Sequence, residues 1–155
     1  MSAEERLASL GVELPPAPKA MGLYKPVLTV AGLAHTSGHG PLHADGTLTK
    51  GRIGAELDTA AGYQAARQTG LAMLATLREE YGSLDRIERL VKTFGLVCCT
   101  PEFTDQPAVI NGFSELMRDV FGPDHGVAAR SAVGAPALPA GMAVEIEAVF
   151  ALKPQ

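Results

Sequence analysis

Arg130 sits among side chains too small to cover it. Ala128, Ala129, Ser131, Ala132 and Gly134 surround it, so a guanidinium here stands at a concave place instead of lying along bulky neighbours. A planar guanidinium in such a spot grips a carboxylate through two parallel hydrogen bonds, which an ammonium group cannot imitate. Taken alone, an arginine is more often a surface residue in an ordinary ion pair. Further along, Val144, Ile146, Ala148, Phe150 and Leu152 alternate onto one strand face and leave Glu145 and Glu147 together on the other. Two carboxylates at i,i+2 face the same way, a common spacing that by periodicity alone describes the solvated outer face of an edge hairpin.

The turn Thr36-Ser37-Gly38 offers a hydroxyl and backbone N–H groups, which suit an anion or a carbonyl oxygen, although many loops share this composition. Histidines 35, 39 and 43 recur every four residues, the spacing of metal ligands on a helix. Gly38, Gly40 and Pro41 exclude a helix there, so no metal is expected. His39 is instead expected as a neutral hydrogen-bonding group beside Ser37. Asn111 falls off the apolar stripe of its helix, where plain solvent exposure is the simplest reading. No nucleophile elbow, P-loop or dinucleotide fingerprint is present.

The elements that position these residues follow from periodicity and punctuation. Ser2 and Glu5 form a capping box for a short N-terminal helix that stops at Gly11. Leu14-Pro15-Pro16-Ala17-Pro18 then reads as an extended connector. Leu23 to Val30 and Leu33 to Ser37 read as strands around a turn at Gly32, and Asp45-Gly46 as a hairpin turn into Thr47-Leu48-Thr49. Asp58 caps a long helix carrying Tyr63, Ala66, Gly70, Met73, Leu74, Leu77 and Tyr81 at helical spacing, and Gly82 ends it. Leu90 to Cys99 reads as a central strand, with Lys92 and Thr93 placing it near a ligand or an edge. Asp105 caps a second helix with Val109, Phe113, Leu116, Met117 and Val120 along one stripe, closed by Gly122. Arg130 to Ala137 and Ala143 to Leu152 are expected to pair as a hairpin, which sets Arg130 beside Glu145. The result is an α+β chain, a mixed sheet with both helices on one face.

Composition narrows the function further. The 155 residues, 46% hydrophobic and 19% charged, suit one domain over 1–155, with 1–20 as its N-terminal helix and connector. The charged start MSAEERLASL and the lack of a long apolar run predict a cytoplasmic protein without a membrane partner. Adjacent Cys98 and Cys99 match neither a zinc spacing nor CxxC, and reduced structural thiols are expected. A net charge of −4, 5% aromatic residues and no Trp argue against a nucleic-acid partner.

Ala129-Arg130-Ser131-Ala132-Val133, followed after Leu138-Pro139 by Val144-Glu145-Ile146-Glu147-Ala148, resembles the C-terminal signature of the Rid/YjgF family of reactive-intermediate deaminases. Gly22-Leu23-Tyr24, Thr36-Ser37-Gly38, Asn111 and Phe121-Gly122 extend the resemblance from about residue 20 to the end. The N-terminal helix and connector suggest a longer subgroup. The resemblance implies a chorismate-mutase-like fold and a homotrimer with clefts between neighbouring subunits, working without a cofactor. It implies that Arg130 holds the substrate carboxylate, that Tyr24, Ser37, Gly38 and Asn111 line the cleft, and that Glu145 orients a water. Ala132 stands where archetypal members carry cysteine, His39 where many carry glutamine, and Pro136 where a small non-proline residue is usual. The backbone carbonyl at position 132 can still accept a hydrogen bond from water, and His39 and Ala132 complete the expected substrate-binding set.

The activity implied is hydrolysis of 2-imino or 2-enamino acids to 2-oxo acids and ammonia, which asks for positioning and one oriented water. The alternatives are a non-enzymatic module binding a small carboxylate or oxo acid, and an endoribonuclease, which an acidic chain supports least. With Arg130 alongside, Glu145 is expected to have a lowered pKa and to be a poor base.

Overall fold

The computed structural model describes residues Met1–Gln155. The N-terminal helix α1 (Ala3–Ser9) carries both halves of its Ser2/Glu5 capping box. Its buried Leu7 joins the main core, and Glu4 ties it down by pairing with Arg78 and accepting from the backbone N–H of Leu84. Strands β1 (Val27–Val30) and β2 (Leu33–Thr36) form a hairpin whose turn residues Ala31 and Gly32 both have positive φ, 51° and 75°, the geometry that matches strand twist in a two-residue turn.

Helix α2 (Thr59–Tyr81) starts where the Asp58 side chain accepts from Ala61 N at 2.8 Å, and it ends at Gly82 in the left-handed conformation. Strand β3 (Ile87–Cys98), helix α3 (Gln106–Phe121), β4 (Ala129–Ala135) and β5 (Val144–Leu152) follow. Asp105 occupies the cap position of α3 without a side-chain hydrogen bond. The two long helices cross closely because Gly112 has no side chain: a Cβ there would run into the backbone carbonyl of Tyr63.

The sheet order is β1-β2-β5-β3-β4, antiparallel throughout except for the parallel pair β3–β4. The expected hairpin between the last two strands does not form. β3 lies between them, and its end is held on both sides, Cys98 N donating to Ala143 O and Cys99 N to Ala135 O. The short connection from Pro136 to Ala143 therefore crosses over the end of β3. β3 takes the position between them, with Val97 and Gly95 under the helices, and β4 is left as the edge.

One face of the sheet packs under α2 and α3 around Phe113, Phe150, Met73, Leu74, Ile110 and Ile146, all fully buried. Cys98 and Cys99 are buried and free. The other face is uncovered. Register places Leu28, Val30, Leu33, Val149, Phe94, Leu96 and Val133 along it, together with His35, Lys92, Ser131, Glu145 and Glu147, and Val30 is 53% and Leu28 49% exposed. An antiparallel face this apolar is unusual for a surface in contact with water alone.

Candidate functional site

The guanidinium of Arg130 has no carboxylate partner in its own chain; the two ion pairs present are Arg78–Glu4 and Arg118–Asp119. It donates instead to Ser114 Oγ at 3.1 Å and to the Pro107 carbonyl at 3.5 Å, both on α3. Pro107, Asn111 and Ser114 recur at i, i+4 and i+7, so Asn111 lies on the same helix stripe between the two anchors. Ala132, two residues along β4, shares the sheet face of Arg130. Arg130, Asn111 and Ala132 thus form one group, with a half-buried cation whose remaining N–H donors are free.

A second group gathers around Gly38. The Glu145 carboxyl lies directly over that glycine: a Cβ on Gly38 would sit 2.8 Å from Glu145 Cδ. The Gly38 N–H has no hydrogen-bond partner. Ser37 is fastened to the segment after Tyr24, its N donating to Pro26 O at 2.9 Å and its Oγ to Lys25 O. Tyr24 is 48% exposed, and its hydroxyl accepts from Met21 N. His39 turns the other way, buried beneath α2 with its ring nitrogens 2.7 Å from Ser37 O and 2.8 Å from Thr76 Oγ1.

The two groups are on opposite faces of the sheet. Arg130 pairs with Thr93, and Thr93 with Ala148, a row turned toward the helices with Thr93 1% and Ala148 4% exposed. Glu145 pairs with Leu96, which pairs with Val133, on the uncovered face. Within one chain Arg130 and Glu145 are therefore not neighbours, and the juxtaposition expected from a hairpin is corrected. Its electrostatic consequence reverses as well. The pKa of Glu145 is raised, first by burial and then by the like charge of Glu147, where Arg130 alongside would have lowered it.

His35 is exposed on β2, His39 is buried, and the His43 Nε2 is engaged by Thr49 Oγ1 at 2.8 Å. These side chains do not converge, and no three His, Cys, Asp or Glu side chains are grouped as a metal site.

A family model described as "YjgF/chorismate_mutase-like, putative endoribonuclease" matches residues 4–151. The chain belongs to the YjgF/Rid family. Protein TCP17 of Trypanosoma cruzi is 38% identical over 146 residues, covering 94% of this chain and 91% of that protein. A crystal structure of an Agrobacterium tumefaciens protein matches with TM-score 0.88 at 35% identity, over 97% of this chain and 94% of the other. One from Shewanella oneidensis, named a "putative endoribonuclease", matches with TM-score 0.93 at 29% identity, over 98% of this chain and 100% of the other. The YjgF/Rid fold that the sequence resemblance implied, short N-terminal helix included, is the fold observed.

Two positions of this YjgF/Rid domain escaped the sequence reading. Ser114, which orients Arg130, stands three residues after Asn111, and helical spacing from that asparagine would have found it. Thr76, which backs His39, lies in the middle of a long helix and carries no local signal. No helix is long and apolar enough to cross a membrane.

Proposed function

We propose that the protein hydrolyses 2-imino and 2-enamino acids to 2-oxo acids and ammonia, in clefts between the subunits of a cytoplasmic homotrimer. The observation that carries this reading is the Arg130 guanidinium, which is held by Ser114 and Pro107 O and left without an acid partner. A cation kept this way binds a carboxylate through two parallel hydrogen bonds. Because the Glu145 group stands on the opposite face, a working site joins one copy's Arg130, Asn111 and Ala132 to another copy's Tyr24, Ser37, Gly38 and Glu145. The uncovered apolar sheet face supports such an assembly, since burying it between copies removes it from water.

In this site the substrate carboxylate docks on Arg130, and its protonated imine carbon faces Glu145. Burial and Glu147 raise the Glu145 pKa within one chain, and in the cleft the substrate carboxylate offsets the charge of the facing Arg130, so Glu145 keeps the basicity to hold a water and accept a proton as that water attacks. Glu145 passes that proton to the nitrogen of the carbinolamine, then takes the hydroxyl proton as the C–N bond breaks and the oxo group forms, and the departing ammonia carries this second proton away as ammonium. The substrate is already electrophilic, so orientation supplies most of the acceleration.

Ammonia release from imines generated from a panel of amino acids tests the proposal, with spontaneous hydrolysis subtracted. The expected result is turnover by wild type and none by Arg130→Ala; a full rate in that variant contradicts the scheme. The reading as a carboxylate-binding module takes over if the panel is silent while oxo acids raise the melting temperature.

A further inference from the structure

We propose that His39 is a positioning residue: it fixes the Ser37–Gly38 peptide so that the unpaired Gly38 N–H is presented to an oxygen of the bound ligand beside Glu145. This rests on the reading above and gives His39 a part that does not require its ring to touch the substrate.

The hydrogen bonds determine the state of the ring. The Ser37 carbonyl only accepts, so the Nδ1 atom 2.7 Å away carries the proton. Nε2 is then a bare acceptor, matched by the Thr76 hydroxyl at 2.8 Å, whose other nearby acceptor, the Ala72 carbonyl, is farther at 3.4 Å. His39 is 4% exposed, and burial lowers its pKa while the bond to Ser37 O works against that. A neutral imidazole with both nitrogens satisfied therefore links α2 to the loop.

That link sets the direction of one peptide plane. There are no cis peptide bonds, so the N–H of Gly38 is anti to the carbonyl of Ser37. With the carbonyl drawn inward under α2, the N–H is turned outward, toward the side where the Glu145 carboxyl covers Gly38. The Gly38 N–H makes no bond within the chain. The His39 N–H is already spent on Ile146 O at 2.8 Å, which holds the loop against β5. Without the ring, the Ser37 carbonyl loses its only partner, and the remaining hydrogen bonds hold the flanking residues and not the peptide plane itself.

The test uses the full-length protein. In wild type at pH 7, nitrogen-15 NMR of the imidazole is expected to show the neutral form protonated at Nδ1; the Nε2-protonated or charged form overturns the proposal. Asparagine places an amide N–H where Nδ1 stood, and leucine does not. Isothermal titration with 2-oxobutanoate is then expected to give affinity within about threefold of wild type for His39→Asn, and about 10-fold weaker for His39→Leu. The Gly38 amide shift should move in the leucine variant alone. Affinity that is unchanged in His39→Leu, or that falls in both variants in step with melting temperature, overturns the positioning role. If wild type binds no oxo acid, the proposed function itself is contradicted, and the imidazole state and Gly38 amide shift still decide what His39 does. The imidazole measurement also stands if the leucine variant does not fold.

Discussion

Arg130 and Glu145 stand on opposite faces of the same sheet, on strands separated by β3. Two strand spacings, roughly 10 Å, and the thickness of the sheet divide a carboxylate clamp from the acid proposed to handle water. One chain therefore holds two separate groups, the half-sites of the proposed function: Arg130 with Asn111 on the α3 side, and Glu145 over Gly38 on the uncovered side. Each is prepared separately, the first by hydrogen bonds that Arg130 donates to Ser114 Oγ and Pro107 O, the second by packing against a residue without a side chain.

Replacing Arg130 should separate binding from stability. Arg130→Ala removes one side-chain bond to Ser114 and one long bond to Pro107 O, worth about 1 kcal/mol of stability. The lost clamp should lower kcat/KM for imine hydrolysis by about 100-fold or more, and Arg130→Lys should fail to restore it because an ammonium is a point charge. Steady-state kinetics beside thermal melts of each variant check this.

Gly38→Ala should be well folded and nearly inactive. The backbone at Gly38 is not in the left-handed region, so alanine brings no conformational strain, and the collision is with the end of the mobile Glu145 side chain. That carboxyl must move by on the order of 1 Å, a displacement that costs roughly 100-fold in rate when the group orients a reactant. A wild-type kcat in a variant of unchanged melting temperature would remove Glu145 from the mechanism.

The pH dependence carries a sign. Glu145 must be ionised to take a proton from water, so activity rises with pH through its raised pKa. Burial and Glu147 are the two causes, in that order. Glu147→Gln deletes the second only, so the acid limb of the kcat profile should move to lower pH. In folding terms a raised carboxyl pKa contributes stability at low pH that is lost as pH rises through the folded-state value. Glu145→Gln should accordingly melt slightly higher than wild type at pH 8, and the gain should vanish near pH 4. Melts of the single variants across that range read both ends.

The N-terminal helix is a separate structural unit of this account. Leu7 is 3% exposed within the main core, so Leu7→Ala should cost about 2–3 kcal/mol and lower the melting temperature by about 5–10 °C. Imine turnover at 25 °C should be unchanged, since α1 packs on α3 and the turn after α2 and reaches neither half-site.

Local signals were the legible part of this chain. The Ser2/Glu5 box, the Asp58 and Gly82 limits of α2 and the alternation that turns Glu145 and Glu147 to one side all depend on residues a few positions apart, and all were read from the sequence. Strand partnership was not legible in the same way. β4 and β5 are joined by a short connection, yet each pairs with β3, because that connection passes over the end of β3, and closeness along the chain does not decide which strand lies between two others. The misread pairing carried the pKa error with it. Glu145 was given an arginine neighbour that its own chain places on the other face, so the sign expected from charge attraction gave way to burial and a like charge. Arg130, Asn111, Ala132, Tyr24, Ser37, Gly38 and Glu145 were named from the sequence as candidates, and their division into two groups was not legible there.

Subunit complementation bears most directly on the claim that the two half-sites meet between copies. Arg130→Ala and Glu145→Gln proteins, each inactive alone, are to be unfolded together in equal amounts, reassembled, and assayed for ammonia release per subunit against wild type treated identically. If every cleft takes Arg130 from one copy and Glu145 from the next, random assembly gives about one quarter of the clefts both groups, and about a quarter of wild-type activity returns. A mixture that reassembles into trimers and stays as inactive as its components contradicts the account.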